Sequence, residues 1–278
     1  MALSLVGAAL LSALLHAGWN AAVKASARPA ETMTAQMLLG AAMVLPALVW
    51  SGLPAMASWP WILATSLTNT ITVTALLRAY ALGGFGVVYP VVRAMSVLLV
   101  VPLAAFLAGE QLGIGALTGI FLIVASLGLL AVSAGRDTSF PLPAMVWTGI
   151  AGLSTAVYVL CDAQGVRASG SAMAYGFTVS IGNAAAMSWR LRKTGSPLAI
   201  MRGNWRIGAP AAVASMASYL LILWVWTQTA IAPAAALRDT SAVFAILIAA
   251  IWLRERFTVP RLIAVALSAI AVSLLRLG

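Results

Sequence analysis

Ten long apolar runs constrain this chain more than any other feature of its sequence. A helix needs about 20 consecutive apolar residues to cross the hydrocarbon core of a bilayer. The runs are continuous and lack the two-residue alternation of a membrane barrel, so they predict transmembrane helices. They cover residues 3–23, 33–51, 59–80, 86–108, 113–134, 143–163, 172–189, 206–227, 231–252 and 259–276.

The composition excludes several classes of protein. Of the 278 residues, 63% are hydrophobic and 8% are charged, whereas soluble domains carry about 25% charged residues. We therefore expect the lipid bilayer to be the partner of this chain. The net charge of +10 comes from scattered basic residues that build no continuous basic face, so we expect no nucleic acid. One cysteine, Cys161, and one histidine, His16, predict no disulfide and no metal site; we expect no cofactor.

The basic residues predict the orientation of the helices. The first run has no basic residue before it and Lys24 after it, so we interpret it as a retained helix rather than a signal peptide. Arg167 and Arg276 lie in links on the side of the N terminus, and Arg93 and Arg238 lie inside runs. The positive-inside rule therefore places both termini outside the cytoplasm. The opposite side holds Lys24, Arg28, Arg78, Arg136, Arg190, Arg192, Lys193, Arg202, Arg206, Arg254, Arg256 and Arg261.

The sequence repeats itself in two registers. VVRAMSVLLVVPLAAFLAGEQL, from Val91, aligns without a gap with ALRDTSAVFAILIAAIWLRERF, 145 residues later. LLSALLHAGWNAAVKAS, from Leu10, resembles GLSTAVYVLCDAQGVRAS at an offset of 142. The first register pairs Arg93 with Arg238, Ser96 with Ser241 and Glu110 with Glu255; the second pairs Ser12 with Ser154, His16 with Tyr158 and Asn20 with Asp162.

The repeat predicts the architecture. Residues 1–137 and 138–278 form two halves of five helices each, and five is odd, so the second half enters the membrane inverted. We expect an all-α polytopic membrane protein with ten transmembrane helices around a central cavity. Inverted repeats are typical of alternating-access transporters, whose substrate site lies near the midplane between the repeats.

Both halves resemble the EamA-type transporters of the drug/metabolite transporter superfamily. The similar segments are ALGGFGVVYPVVRAMSVLLVVPLAAFLAGEQLGIGALTGIFLIVASLGLLA and IAPAAALRDTSAVFAILIAAIWLRERFTVPRLIAVALSAIAVSLL. The resemblance implies ten helices, a bacterial inner membrane, periplasmic termini given the charges above, and transport of small metabolites. In general appearance the chain is most similar to the bacterial amino-acid exporters, including those for aromatic amino acids.

Polar groups inside lipid are costly, so each is a candidate for function. Arg93 and Arg238 are consistent with a structural or gating ion pair and with contact to a substrate carboxylate, for which arginine offers a planar donor fork. Tyr89 shares a face with Arg93, and Tyr80 ends the preceding run. The two tyrosines are consistent with a cavity wall and with an interfacial aromatic belt.

Two polar stripes occupy equivalent places in the halves. His16, Trp19 and Asn20 share one face of the first helix, and Tyr158 and Asp162 share one face of the sixth. They are consistent with a common pathway, and His16 equally with a packing role. Thr70 and Thr74 form either a hydrophilic wall or bonds to their own backbone. Trp224 suits an aromatic substrate or the membrane interface.

Glu110 and Glu255 end the fourth and ninth runs, and we interpret them as structural carboxylates at the positive end of the helix that follows.

We expect a monomeric secondary transporter that exports small, largely hydrophobic metabolites, above all amino acids. The alternative is efflux of cationic, lipophilic drugs, for which Asp162 and Asp239 are the candidate carboxylates. Ser12 and His16 share a face, as in a hydrolase, but no G-x-S-x-G motif accompanies them, so we expect no enzyme. A channel would favour oligomeric symmetry over an internal inverted repeat.

Overall fold

The computed structural model describes residues 1–83, 85–135, 140–190, 192, 196–252 and 258–277. Some predicted features lie outside these residues: Glu255, the basic residues Arg136, Lys193, Arg254 and Arg256, and the boundary between residues 137 and 138.

Every predicted run lies on a helix. A single 3-10 turn, Met56–Ser58, precedes the third helix. The helices are α1 (Leu3–Lys24), α2 (Pro29–Ser51), α3 (Trp59–Gly83), α4 (Phe85–Ala108), α5 (Ile114–Gly135), α6 (Leu142–Ser169), α7 (Ala172–Arg190), α8 (Pro197–Gln228), α9 (Ile231–Asp239), α10 (Ser241–Trp252) and α11 (Val259–Leu277).

The helices make this an all-α, multi-pass membrane protein. Within the described residues, nine helical segments are long and apolar enough to cross a bilayer, with α9 and most of α10 counted as one segment, Ile231–Ile248. The predicted run that is not among them is α7, whose 19 residues include the polar Ser180 and Asn183.

The ninth run was predicted as one helix over residues 231–252, and that prediction is wrong. The helix is interrupted at Thr240, whose N–H and Oγ1 both donate to Leu237 O, at 3.3 and 2.6 Å. The backbone bond is of the tight 3-10 type, and the side-chain bond competes for the same carbonyl, so regular α-helical bonding stops there.

The eighth helix begins earlier than predicted. Residues 190–205 were expected to form a polar link, yet α8 begins at Pro197, a residue suited to the first position of a helix. Its early turns carry the exposed Arg202 and Arg206. These polar turns extend the helix beyond its apolar part, so hydropathy alone misplaced its start.

The bundle has two distinct ends. The α1–α2 end holds the link between α1 and α2, and the α2–α3 end holds the links that follow α2, α4, α6 and α8. At the α2–α3 end, Ala55 N donates to Ser169 O at 3.1 Å. The two termini also meet, since the Met1 amino group donates to Arg276 O at 2.7 Å. The chain therefore begins and ends on the same side of the bundle.

Hydroxyl groups connect the helices where apolar side chains give no directional contact. Ser12 Oγ donates to Ser218 O, and Ser218 Oγ donates to Ser12 O, both at 2.7 Å, which joins α1 to α8. Thr72 Oγ1 donates to Ser154 Oγ at 2.8 Å and joins α3 to α6. Such bonds are a usual stabilising contact between membrane helices.

The hydrogen bonds between Ser12 and Ser218 predict that removing one of the two hydroxyls lowers the stability of the fold. Ser12→Ala removes one bond between α1 and α8, so we expect it to lower the free energy of unfolding by roughly 0.6–1.7 kcal/mol. Ser273→Ala is the control, since Ser273 is exposed and bonds only within its own helix. Thermal unfolding of the purified variants in detergent measures the difference. Equal stability of the two variants would contradict the assignment.

Candidate functional site

A cavity of about 170 Å³ lies inside the bundle, lined by residues of α1, α2, α3, α4, α6, α7, α8 and α9. Its lining extends from the middle of the helices toward the α1–α2 end, where it includes Asn20 near the end of α1, Met33 near the start of α2 and Tyr80 near the end of α3. Helices of both predicted halves therefore form its wall.

Most of the predicted site residues meet at this cavity. They come from runs that are distant in sequence, and the fold places them around one space. The nine that line it are His16, Trp19, Asn20, Tyr80, Tyr89, Arg93, Tyr158, Asp162 and Arg238.

Three predicted residues lie elsewhere. Thr70 Oγ1 donates to Ser66 O at 2.8 Å, one turn back along its own helix. Thr74 is half-buried outside the cavity lining, and Trp224 is 43% exposed on α8. The structure therefore does not bring these three side chains to the cavity.

Of the two alternatives for the threonines of α3, the backbone bond is the one that Thr70 forms. The face of the helix that turns inward is instead the one that carries Thr65, Asn69 and Thr72, which line the cavity. Hydroxyl groups occur on every face of this helix, so their pattern cannot select one. The single amide, Asn69, was the better signal because an amide inside an apolar run has a higher desolvation cost.

Other lining residues were missed for a similar reason. Gln36 on α2 and Asn183 on α7 are amides inside apolar runs, and both line the cavity with Tyr219 of α8. The rule that polar groups inside lipid are candidates for function would have found the two amides. Tyr219 has no such signal, because aromatic residues are common throughout membrane helices.

Arg93 of α4 is held by partners on two other helices, α1 and α9. Its Nη1 donates to Asp239 Oδ1 at 3.0 Å, and its Nη2 donates to His16 Nε2 at 2.6 Å. The guanidinium also lies over the Tyr89 ring, 5.1 Å from the ring centre. Arg93 therefore forms a buried ion pair with Asp239 and also borders the cavity.

The contact to Arg93 fixes the state of His16. A guanidinium only donates hydrogen bonds, so His16 Nε2 must accept and the neutral ring carries its proton on Nδ1. The same ring meets Trp19 edge to face, with ring centres 5.1 Å apart. His16 therefore serves as a bridge between the arginine and the aromatic wall.

Asp162 is buried on α6 with an exposed fraction of 1%. Tyr175 of α7 donates its hydroxyl to Asp162 Oδ1 at 3.2 Å. This approach depends on Gly165, because a Cβ at that position would lie 2.4 Å from the Tyr175 hydroxyl oxygen. In the described ranges, no cation lies within ion-pair distance of this carboxylate.

Arg238 is the second buried arginine, on α9, with an exposed fraction of 6%. It lines the cavity, yet its Nε has no hydrogen-bond partner. Among the residues that the structure describes, no carboxylate forms an ion pair with it. The neighbouring Asp239 instead faces Arg93, as expected for adjacent helical residues that point in different directions.

The α2–α3 end is closed by a second polar cluster. Glu110 accepts hydrogen bonds from the N–H groups of Ile231 and Ala232, at the start of α9. Arg167 donates to Trp226 O at 2.9 Å and to Thr229 O at 2.7 Å, and it lies 3.8 Å from Glu110. Glu110 was expected to stabilise the helix after it, but it caps α9 instead.

No family model and no curated protein matches this sequence. A solved structure, described only as the crystal structure of a protein, is similar to this chain with a TM-score of 0.79 and 16% identity. The similarity covers 99% of this chain and 97% of that one. Identity this low shows a shared fold alone, so the EamA-type resemblance stays a prediction.

The ion pair between Arg93 and Asp239 predicts that removing the Asp239 charge strongly lowers the stability of the fold. Asp239→Asn leaves the Arg93 charge buried without its counter-charge, so we expect a loss of roughly 3–5 kcal/mol in unfolding free energy. Glu31→Gln is the control, since it removes the exposed 3.4 Å pair with Arg28 and should cost less than about 1 kcal/mol. Thermal unfolding in detergent compares the two. A loss no greater than that of the control would contradict the role given to Asp239.

Proposed function

We propose that this protein is a secondary transporter that exports small, largely hydrophobic amino acids, including aromatic ones, by alternating access. The observation that carries the proposal is the cavity, which lies in the middle of a membrane bundle and combines buried charges with aromatic rings. The chemistry of an amphipathic solute matches this lining: charged groups meet Arg238 and Asp162, and an apolar side chain meets rings such as Tyr80 and Tyr89.

Two observations support ten crossings and an inverted repeat. The termini meet at one end of the bundle, which favours an even number of crossings and thus supports counting α7 as one of them despite its polar residues. The bonds between helices are also repeated. Ser12 bonds to Ser218 on α8, and its repeat partner Ser154 bonds to Thr72 on α3. Ser218 lies 146 residues after Thr72, close to the register of the repeat.

Alternating access is supported by the difference between the two ends. The cavity lining reaches toward the α1–α2 end, whereas the Glu110 and Arg167 cluster closes the α2–α3 end. The Glu110 contacts join a link of the first half to α9 of the second, whereas the hydrogen bonds of Arg167 lie within the second half. Movement of one half against the other would break the Glu110 contacts and open the cavity on that side.

The location follows from the resemblance and the charges. We propose a bacterial inner membrane with both termini in the periplasm, since the α1–α2 end carries most of the basic residues. In that orientation the cavity described here opens toward the cytoplasm, the side from which an exporter takes up its substrate.

Asp162 favours the alternative function, efflux of cationic lipophilic compounds, because it is a buried carboxylate on the cavity wall. The cationic Arg238 on the same wall opposes binding of a solute that is only cationic. Amino acids therefore remain the better match.

Transport by the reconstituted protein tests the proposal. We expect saturable uptake of phenylalanine or a related amino acid into proteoliposomes, measured with and without a pH gradient. Ala212→Phe fills the cavity and should abolish uptake, whereas Val213→Phe, at an exposed position one residue later, should retain it. Movement of cationic dyes without movement of any amino acid would overturn the proposal in favour of drug efflux.

A further inference from the structure

The two buried arginines differ in their partners: Arg93 pairs with Asp239, whereas no carboxylate among the described residues forms an ion pair with Arg238. The repeat places Arg93 and Arg238 in equivalent positions. The register of 145 places Ala94 where the second half has Asp239. The single carboxylate, Asp239, pairs across the halves with Arg93 at 3.0 Å, so the equivalent pair for Arg238 does not exist.

An unpaired guanidinium in this place is an unusual feature. Arg238 is 6% exposed and borders the cavity, and no described carboxylate lies within ion-pair distance of it. Isolated buried charges are strongly unfavourable unless a partner compensates them. The planar fork of an arginine matches a carboxylate, which it binds through two parallel hydrogen bonds. Arg238 therefore has the geometry and the unmet bonding of a carboxylate receptor.

The opposite charge on the cavity wall is also left without an ion pair. Asp162 occupies the position that the neutral Asn20 holds in the first half. Tyr175 donates a hydrogen bond to it at 3.2 Å, and the Thr65 and Tyr219 hydroxyls also lie beside it. All three groups are neutral, so none of them supplies a counter-charge for the carboxylate. Asp162 and Arg238 both line the cavity, yet they lie beyond ion-pair distance of each other.

We propose that Arg238 and Asp162 together recognise a zwitterion: the substrate α-carboxylate binds Arg238 and the substrate α-ammonium binds Asp162. This inference rests on the proposed function and adds a recognition mode to it. Arg93 has a different role, since Asp239 already neutralises its charge and His16 already accepts from its second Nη group. Differences between the two halves thus create the binding site inside a scaffold whose helices are otherwise arranged alike.

Three ligands of similar shape distinguish the contact of Arg238 with a carboxylate from the contact of Asp162 with an ammonium. L-Phenylalanine carries both charges, 2-phenylethylamine lacks the carboxylate, and 3-phenylpropionate lacks the ammonium. Equilibrium binding to the full chain in lipid nanodiscs compares them. We expect the unmodified protein to bind phenylalanine roughly 10- to 100-fold more tightly than either analogue, the range expected for one charge-assisted contact.

The variants then assign each contact. Arg238→Gln should weaken phenylalanine to the level of 2-phenylethylamine and leave 2-phenylethylamine within about twofold, which also shows that the variant is folded. Asp162→Asn should weaken phenylalanine binding to the level of 3-phenylpropionate and leave the affinity for 3-phenylpropionate within about twofold. Arg202→Gln is the matched control, because Arg202 is exposed on α8 and lies outside the cavity lining. Its affinities should equal those of the unmodified protein.

The outcomes separate this inference from the proposed function. Phenylalanine binding that Arg238→Gln leaves intact overturns the zwitterion site while amino-acid transport stands. If Arg238→Gln loses every ligand, restored phenylalanine binding in Arg238→Lys supports the inference and failure to restore it overturns it. If the unmodified protein neither binds nor transports any amino acid, the proposed function fails, and the inference fails with it.

Discussion

The ion pair between Arg93 and Asp239 is the interaction on which the rest of the site depends. The hydrocarbon core offers no water to solvate a guanidinium, so a buried arginine there requires partners from the protein itself. Arg93 finds them on α9, through Asp239, and on α1, through His16. One side chain of the first half is thereby joined to the second half at the level of the cavity, and Tyr89, Ser241 and Trp19 are ordered around it.

The same pair explains why the equivalent arginine differs in role. Because Asp239 pairs with Arg93, neither Arg238 nor Asp162 has an ion-pair partner among the described residues, and both line the cavity. A repeat with identical halves would pair both arginines alike and leave no charge for a solute. The proposed recognition of a zwitterion therefore follows from two substitutions between the halves, Ala94 against Asp239 and Asn20 against Asp162.

The sequence predicted the helices well because hydropathy over 20 residues is a strong signal in lipid. Nine of the twelve residues that the sequence marked as candidates line one cavity. Polar groups are rare inside apolar runs, so those that occur there are a strong signal of function. Hydropathy did not predict features that depend on individual side-chain contacts. The inward face of α3 cannot be read from hydroxyls that surround the whole helix, and the interruption at Thr240 depends on a side-chain bond that hydropathy does not register. The partner of Glu110 lies 121 residues away, so no local pattern names it.

The central claim is that the cavity is reached from the two membrane faces in turn. A single cysteine at Asn69, which lines the cavity near the middle of α3, reports on this in an Asn69→Cys, Cys161→Ala double variant. Labelling by a membrane-impermeant maleimide, added to either face of sealed vesicles of known orientation, measures the access. The account predicts reaction from the α1–α2 face without ligand and reaction from both faces while substrate is transported. Reaction from a single face under every condition, with transport under way, would contradict it.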